Sequence, residues 1–231
     1  MQGSKRNQKR QKKKAYKDRN QTRGRRGKPN KRFLIVCEGT ETEPNYFEAL
    51  GRKIKNKVNL NIRREGKVYS SLVEKAREIV KEDGSYKINA GDEVWCVFDR
   101  DINRQNGNQQ DFNEAIILAY DNSINLAISN DAFELWFLQH FSYYESETHR
   151  INYKSMLSQS IGGKYNKNDP QLYEKLEPYQ EQAIKNSARL WNSYDQTIDL
   201  PTDETDKLIK KHNMNPSTTI HLLVGKLIKY L

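Results

Sequence analysis

The 231 residues carry 40 Lys and Arg against 30 Asp and Glu, a net charge of +10 that averages two unlike pieces. Residues 1–32 hold 15 of the bases and one acid, Asp18, a charge of +14, which leaves −4 on residues 33–231. No run approaches the roughly 20 apolar residues of a membrane span, and two cysteines, Cys37 and Cys96, are too few for a disulfide framework or a cysteine zinc site.

The basic tail, residues 1–31, is Lys, Arg, Gln, Asn and Gly without a hydrophobic period, and is expected to be disordered when free. Met1, Ala15 and Tyr16 are its only apolar residues, so no signal-peptide core exists and a cytoplasmic protein with reduced thiols is expected. Order is predicted to begin at Arg32, where Phe33-Leu34-Ile35-Val36-Cys37 reads as a strand buried on both faces, closed by Glu38-Gly39-Thr40. Pro44 opens a helical pattern that stops near Gly51. Val58, Leu60 and Ile62 alternate as a strand, and Ser70 caps a helix that ends at Asp83-Gly84. Glu93–Phe98 is the next strand, closed by Asp99-Arg100-Asp101. A polar loop over 102–110, a helix over about 111–121 and the strand Asn125–Ile128 follow, then an apolar helix over Ala132–Phe141.

Residues 32–141 thus repeat strand–helix four times, which predicts an α/β domain with a mainly parallel sheet. Residues 142–231 read as a more polar helical extension on the same core, with helices near 152–159, 171–193, 203–212 and Ser217–Leu231, the last capped by Asn215-Pro216-Ser217.

Ligands of parallel α/β sheets gather at the carboxyl ends of the strands. The predicted strands end on Glu38, on Asp99 and Asp101, and on Asn130-Asp131 with Glu134 beyond. Carboxylates crowded at a sheet edge call for a cation, and Mg²⁺ (or Mn²⁺) is the hard, oxygen-seeking ion for such a set. The four histidines show no metal-ligand spacing. Acids after strands are also common as helix caps and turn residues.

An apolar strand ending Glu-Gly and a later one ending Asp-x-Asp resemble the Toprim domain of topoisomerases, primases and several nucleases. More narrowly, residues Phe33–Phe47, Ser129–Phe141 and Asn215–Thr219, with a basic segment ahead of them, are similar to RloB-like proteins. The resemblance implies a Toprim-like Rossmannoid sheet and a metal-dependent nuclease of an anti-phage defence system, working with an ABC-like ATPase of the RloA type. Its substrate would be RNA, tRNA by analogy, or DNA; the alternative is a non-catalytic nucleic-acid-binding adaptor of the same complex.

Under that reading Asp99 and Asp101 hold the metal. Glu38 serves as general acid or base, or as a third ligand. Glu134 reaches the same cluster or simply begins a helix. Gly39 lets the backbone approach a phosphate. Arg100, Asn130 and His140 are the nucleic-acid-contacting candidates of the body, although Asn130 could merely end its strand and His140 could be a core histidine. Glu41 and Glu43 are assigned to the helix dipole. In the tail, Arg25, Arg26 and Lys28 represent the cations that would neutralise phosphates without reading sequence, or dock on the ATPase.

Overall fold

The computed structural model describes residues 31–101, 108–199 and 201–231. The expectation of a disordered tail, with Arg25, Arg26 and Lys28, and most of the expected 102–110 loop therefore lie outside the described residues.

Five strands form one sheet in the order β2-β1-β3-β4-β5. They are β1 (Arg32–Cys37), β2 (Asn59–Arg64), β3 (Glu93–Asp99), β4 (Asn125–Asn130) and β5 (Ser217–Thr218). The first four pair in parallel, and β5 closes the edge antiparallel to β4. Helices α1 (Thr42–Ile54), α2 (Tyr69–Asp83) and α3 (Gln109–Asp121) make the crossovers, and the short α4 (Glu134–Leu138) follows β4. The C-terminal part adds α5 (Tyr153–Ser160), α6 (Leu172–Leu176), α7 (Gln180–Thr197), α8 (Glu204–His212) and α9 (Ile220–Leu227). The predicted α/β class with a mainly parallel sheet is the observed one. Among the described residues no helix is long and apolar enough to cross a membrane.

The continuous apolar run of β1 follows from burial on both faces. Its period-two alternation sends Phe33, Ile35 and Cys37 into one core and Leu34 and Val36 into the other. The first core is completed by α1 and the C-terminal helices, with Tyr46, Phe47, Phe133, Trp136 and Leu223 among its members. The second is completed by α2 and α3, through Tyr69, Leu72, Val73, Phe112 and Ile116. The two cysteines are free, buried, and on opposite faces.

Local expectations fail where long-range pairing overrides them. The apolar segment 132–141 contains an α-helix of only five residues, Glu134–Leu138. Ser70 does not cap α2, whose N-cap is Val68; its hydroxyl donates to Asp111 instead. Ser217 does not open a helix either. Ser217 and Thr218 pair with Asn130 and Ser129, the Ser129 and Thr218 hydroxyls lie 2.9 Å apart, and Thr219 N–H donates to the Ile128 carbonyl. Gly84, in contrast, ends α2 as expected, in the left-handed conformation at φ 61° that an added Cβ would strain.

Asn130 fastens this edge. It is fully buried, and its amide donates to the carbonyls of Met214 at 2.8 Å and Asn213 at 3.3 Å, where the chain enters β5. Asn130→Ala leaves those acceptors without a donor and is expected to cost roughly 2 kcal/mol in a urea titration.

Candidate active site

In a sheet ordered 2-1-3-4, the chain runs outward in one direction from β1 and in the other from β3, so the switch point lies between these two neighbours. Cys37 pairs with Val97. The side chains just beyond, Glu38 and Asp99, therefore leave the sheet together at that switch. Glu38 is fixed by its N–H donating to the Val97 carbonyl and its carbonyl accepting from Gly66 N–H. On the other side of β3, Asp99 pairs with Ser129. Asp101 and Asp131 each lie two residues further on.

A cleft of about 320 Å³ opens here, lined by Glu38, Gly39, Glu43, Asp99, Glu134, Arg150 and Lys167 among others. Glu38 is 7% exposed and Glu43 6% exposed. Burial pushes the Asp99 carboxyl well above the ordinary carboxylate range, reinforced by the charge of Glu43 and opposed by Arg150. Burial raises Glu43 as well, against backbone donors at Glu43 and Gly39, with the Glu134 charge adding to the rise. Glu134 accepts a hydrogen bond from Tyr165 Oη at 2.9 Å, which fixes its carboxylate.

Arg150 answers this negative charge. It stands on a one-turn 3₁₀ helix, Arg150–Asn152, before α5. Its Nη1 donates to Asp101 Oδ2 at 2.6 Å, its Nη2 to Asp99 Oδ2 at 3.3 Å, and its backbone N–H to Asp131 Oδ2 at 2.8 Å. The buried Asp99 Oδ1 has no hydrogen-bond partner.

The sequence candidates divide accordingly. Glu38, Gly39, Asp99 and Glu134 line one cleft, and Asp101 joins it through Arg150. At Gly39 the space a Cβ would fill is taken by the Glu43 carboxylate. Arg100 is turned away. It is 5% exposed, its Nε donates to Asn213 Oδ1, Gln109 accepts from its guanidinium, and its head lies 4.7 Å from the Phe112 ring centre. Asn130 serves the β4–β5 edge. His140 is fully buried, with Nδ1 2.9 Å from the Trp136 carbonyl and its ring edge-on to Trp136. These three are buried and none of them lines the cleft.

Sequence reasoning missed Glu43, Arg150, Tyr165, Lys154 and Lys167. Glu43 had a signal in its position at the start of the helix after β1, but the helix-dipole explanation absorbed it. The others lie in polar segments without period or motif. Lys154, Tyr165 and Lys167 line a second opening of about 320 Å³ that shares Glu134 and Arg150 with the acid cleft.

Two carboxylates bridged by one cationic group, with an unsatisfied buried oxygen beside it, suit a cation. Among the described residues, however, no three of His, Cys, Asp and Glu are grouped to hold a metal ion. The donor set fits an ion held by one or two carboxylates and completed by waters and phosphate oxygens, which is the habit of Mg²⁺ rather than of a protein-caged metal.

No curated protein and no solved structure matches this chain. The family model described as RloB-like protein matches residues 33–227, from the second residue of β1 to the last of α9, and the chain belongs to that family.

Proposed function

We propose that the protein is a metal-dependent nuclease, the effector of an anti-phage defence system that works with an ABC-like ATPase of the RloA type. The observation that carries this reading is the convergence of Glu38, Asp99, Glu43 and Glu134 in one cleft at the β1/β3 switch point. A phosphate-binding adaptor gains nothing from acids there, since they repel the backbone it must hold. Asp99 and Asp101 would hold Mg²⁺ or Mn²⁺, which when bound would supply positive charge to the phosphoryl oxygens. Glu38, held at the mouth of β1, would take a proton from the attacking water or give one to the leaving oxygen. Glu134, fixed by Tyr165, adds to the field that retains the cation.

Phosphates reach such a site only along a basic approach. Lys154 and Lys167 are exposed and, among the described residues, make no ion pair; both border the opening next to the acid cleft. The double substitution Lys154→Ala/Lys167→Ala is expected to weaken nucleic-acid binding for every sequence alike. The slope of log affinity against log salt should fall by about 2, one for each lost phosphate contact. An unchanged slope would remove these lysines from the approach.

The reading as a whole is tested by co-expressing the protein with an ABC-like ATPase of the RloA type and sequencing the ends of cellular RNA and DNA. Breaks present with the wild type and missing with Glu38→Ala are expected. Toxicity without breaks in either polymer would replace the nuclease by the non-catalytic adaptor.

A further inference from the structure

Arg150 has one feature that an ordinary salt bridge does not explain. Its guanidinium takes one oxygen from each member of the Asp99/Asp101 pair, and it comes from a segment about 50 residues downstream. The side chain is 36% exposed, while those of Asp99 and Asp101 are 14% and 19% exposed, so the cation enters from the cleft side and covers the acids. It does so incompletely. Asp99 Oδ1 stays unsatisfied, and so does Oδ1 of Asp131, a residue only 2% exposed. A planar guanidinium offers donors in one plane, whereas a divalent ion of small radius could take the second Asp99 oxygen and neutralise twice the charge.

We infer that Arg150 is a resident counter-cation that competes with a divalent ion for Asp99 and Asp101, and that ion entry releases its guanidinium to a substrate phosphate. This rests on the metal-dependent reading above. The release has a destination, because Arg150 also lines the opening bordered by Lys154 and Lys167, where Glu134 is the single carboxylate among the described lining residues and a freed guanidinium can grip phosphate oxygens in a fork. The turn itself stays in place during the exchange, since its attachment to Asp131 is through the backbone N–H and not the side chain. The consequence is an order of events: the acids are masked until a divalent ion arrives, and the same ion that completes the site frees the group that receives the substrate.

Mn²⁺ binding to the full chain, followed by electron paramagnetic resonance without nucleic acid, tests this. Wild type should bind Mn²⁺ weakly, and Arg150→Ala should bind it roughly tenfold or more tightly, the scale on which a neighbouring arginine biases a carboxylate. Arg150→Gln, which keeps much of the length and loses the charge, should tighten binding similarly and guards against a folding defect of the alanine variant. In the same proteins, Mn²⁺ should strengthen binding of a phosphate-backbone oligonucleotide for wild type more than for either variant. Folded variants that bind Mn²⁺ no better than wild type would overturn the competition and leave the metal-dependent reading standing. Folded wild type and variants that all fail to bind Mn²⁺ would overturn that reading and the competition with it.

Discussion

Asp99→Asn is expected to lower cleavage by about a thousandfold or more, equivalent to ~4 kcal/mol of transition-state stabilisation, while leaving the fold intact. The loss follows from position. Asp99 stands at the switch point, bonded to Arg150, with its second oxygen buried and unsatisfied, so it is the acid whose chemistry most depends on a cation. Intact folding follows from the same surroundings. Glu43, Glu134 and Asp131 all act to raise the Asp99 carboxyl, and only Arg150 among the principal neighbours opposes them. Removing that charge relieves repulsion, and Arg150 keeps its shorter bond to Asp101. The melting temperature should therefore be unchanged or higher, as when a residue is retained for activity at the expense of stability. Paired thermal melts and cleavage rates check this; a variant that loses activity and stability together would make Asp99 a structural residue.

Acid lability is the second large effect. Burial pushes His140 down to about 4, His212 down to about 3 with the charge of Lys211 assisting, and His221 down to about 4. All three fall below the unfolded value of roughly 6.5, so the unfolded chain takes up protons first as pH falls. Their contribution is complete above that unfolded value and is lost as pH drops toward their folded values. Between about pH 7.5 and about pH 5 the expected loss is roughly 2 kcal/mol for each histidine that remains neutral in the fold. The raised carboxyls of Asp99 and Glu43 act in the opposite sense: the folded state binds their protons first, which favours folding as pH falls toward the unfolded carboxyl range. The urea midpoint should consequently fall steadily on acidification, and less steeply in His212→Leu, which removes one buried imidazole packed on Trp191. A midpoint independent of pH over this interval would show that the histidines become protonated without unfolding.

Much of the architecture was legible because it is written in local, continuous signals. The apolar runs of β1, β3 and β4, the helical patterns between them, and the glycine ending α2 specify a parallel sheet residue by residue. The acids at the β1 and β3 ends were legible for the same reason, since strand ends define where ligands gather. What escaped detection depends on contacts across long separations. Ser217 and Thr218 have too short a strand to show alternation, and their pairing with β4 lies almost 90 residues away. Arg150 sits in a polar stretch with no period, and only the fold brings it to Asp99 and Asp101. Arg100 and His140 misled in the reverse way: proximity to the acids in sequence, or on a helix pattern, did not reveal that Asn213 and Trp136 would claim their polar atoms.

The proposed cleavage of phosphodiesters by this acid cleft with a divalent ion is tested most directly by cleavage of end-labelled RNA and DNA by purified protein. Wild type supplied with Mg²⁺ should produce breaks in at least one polymer, and neither wild type in chelator nor Asp99→Asn in Mg²⁺ should do so. Equal cleavage by Asp99→Asn, or by wild type in chelator, would contradict it.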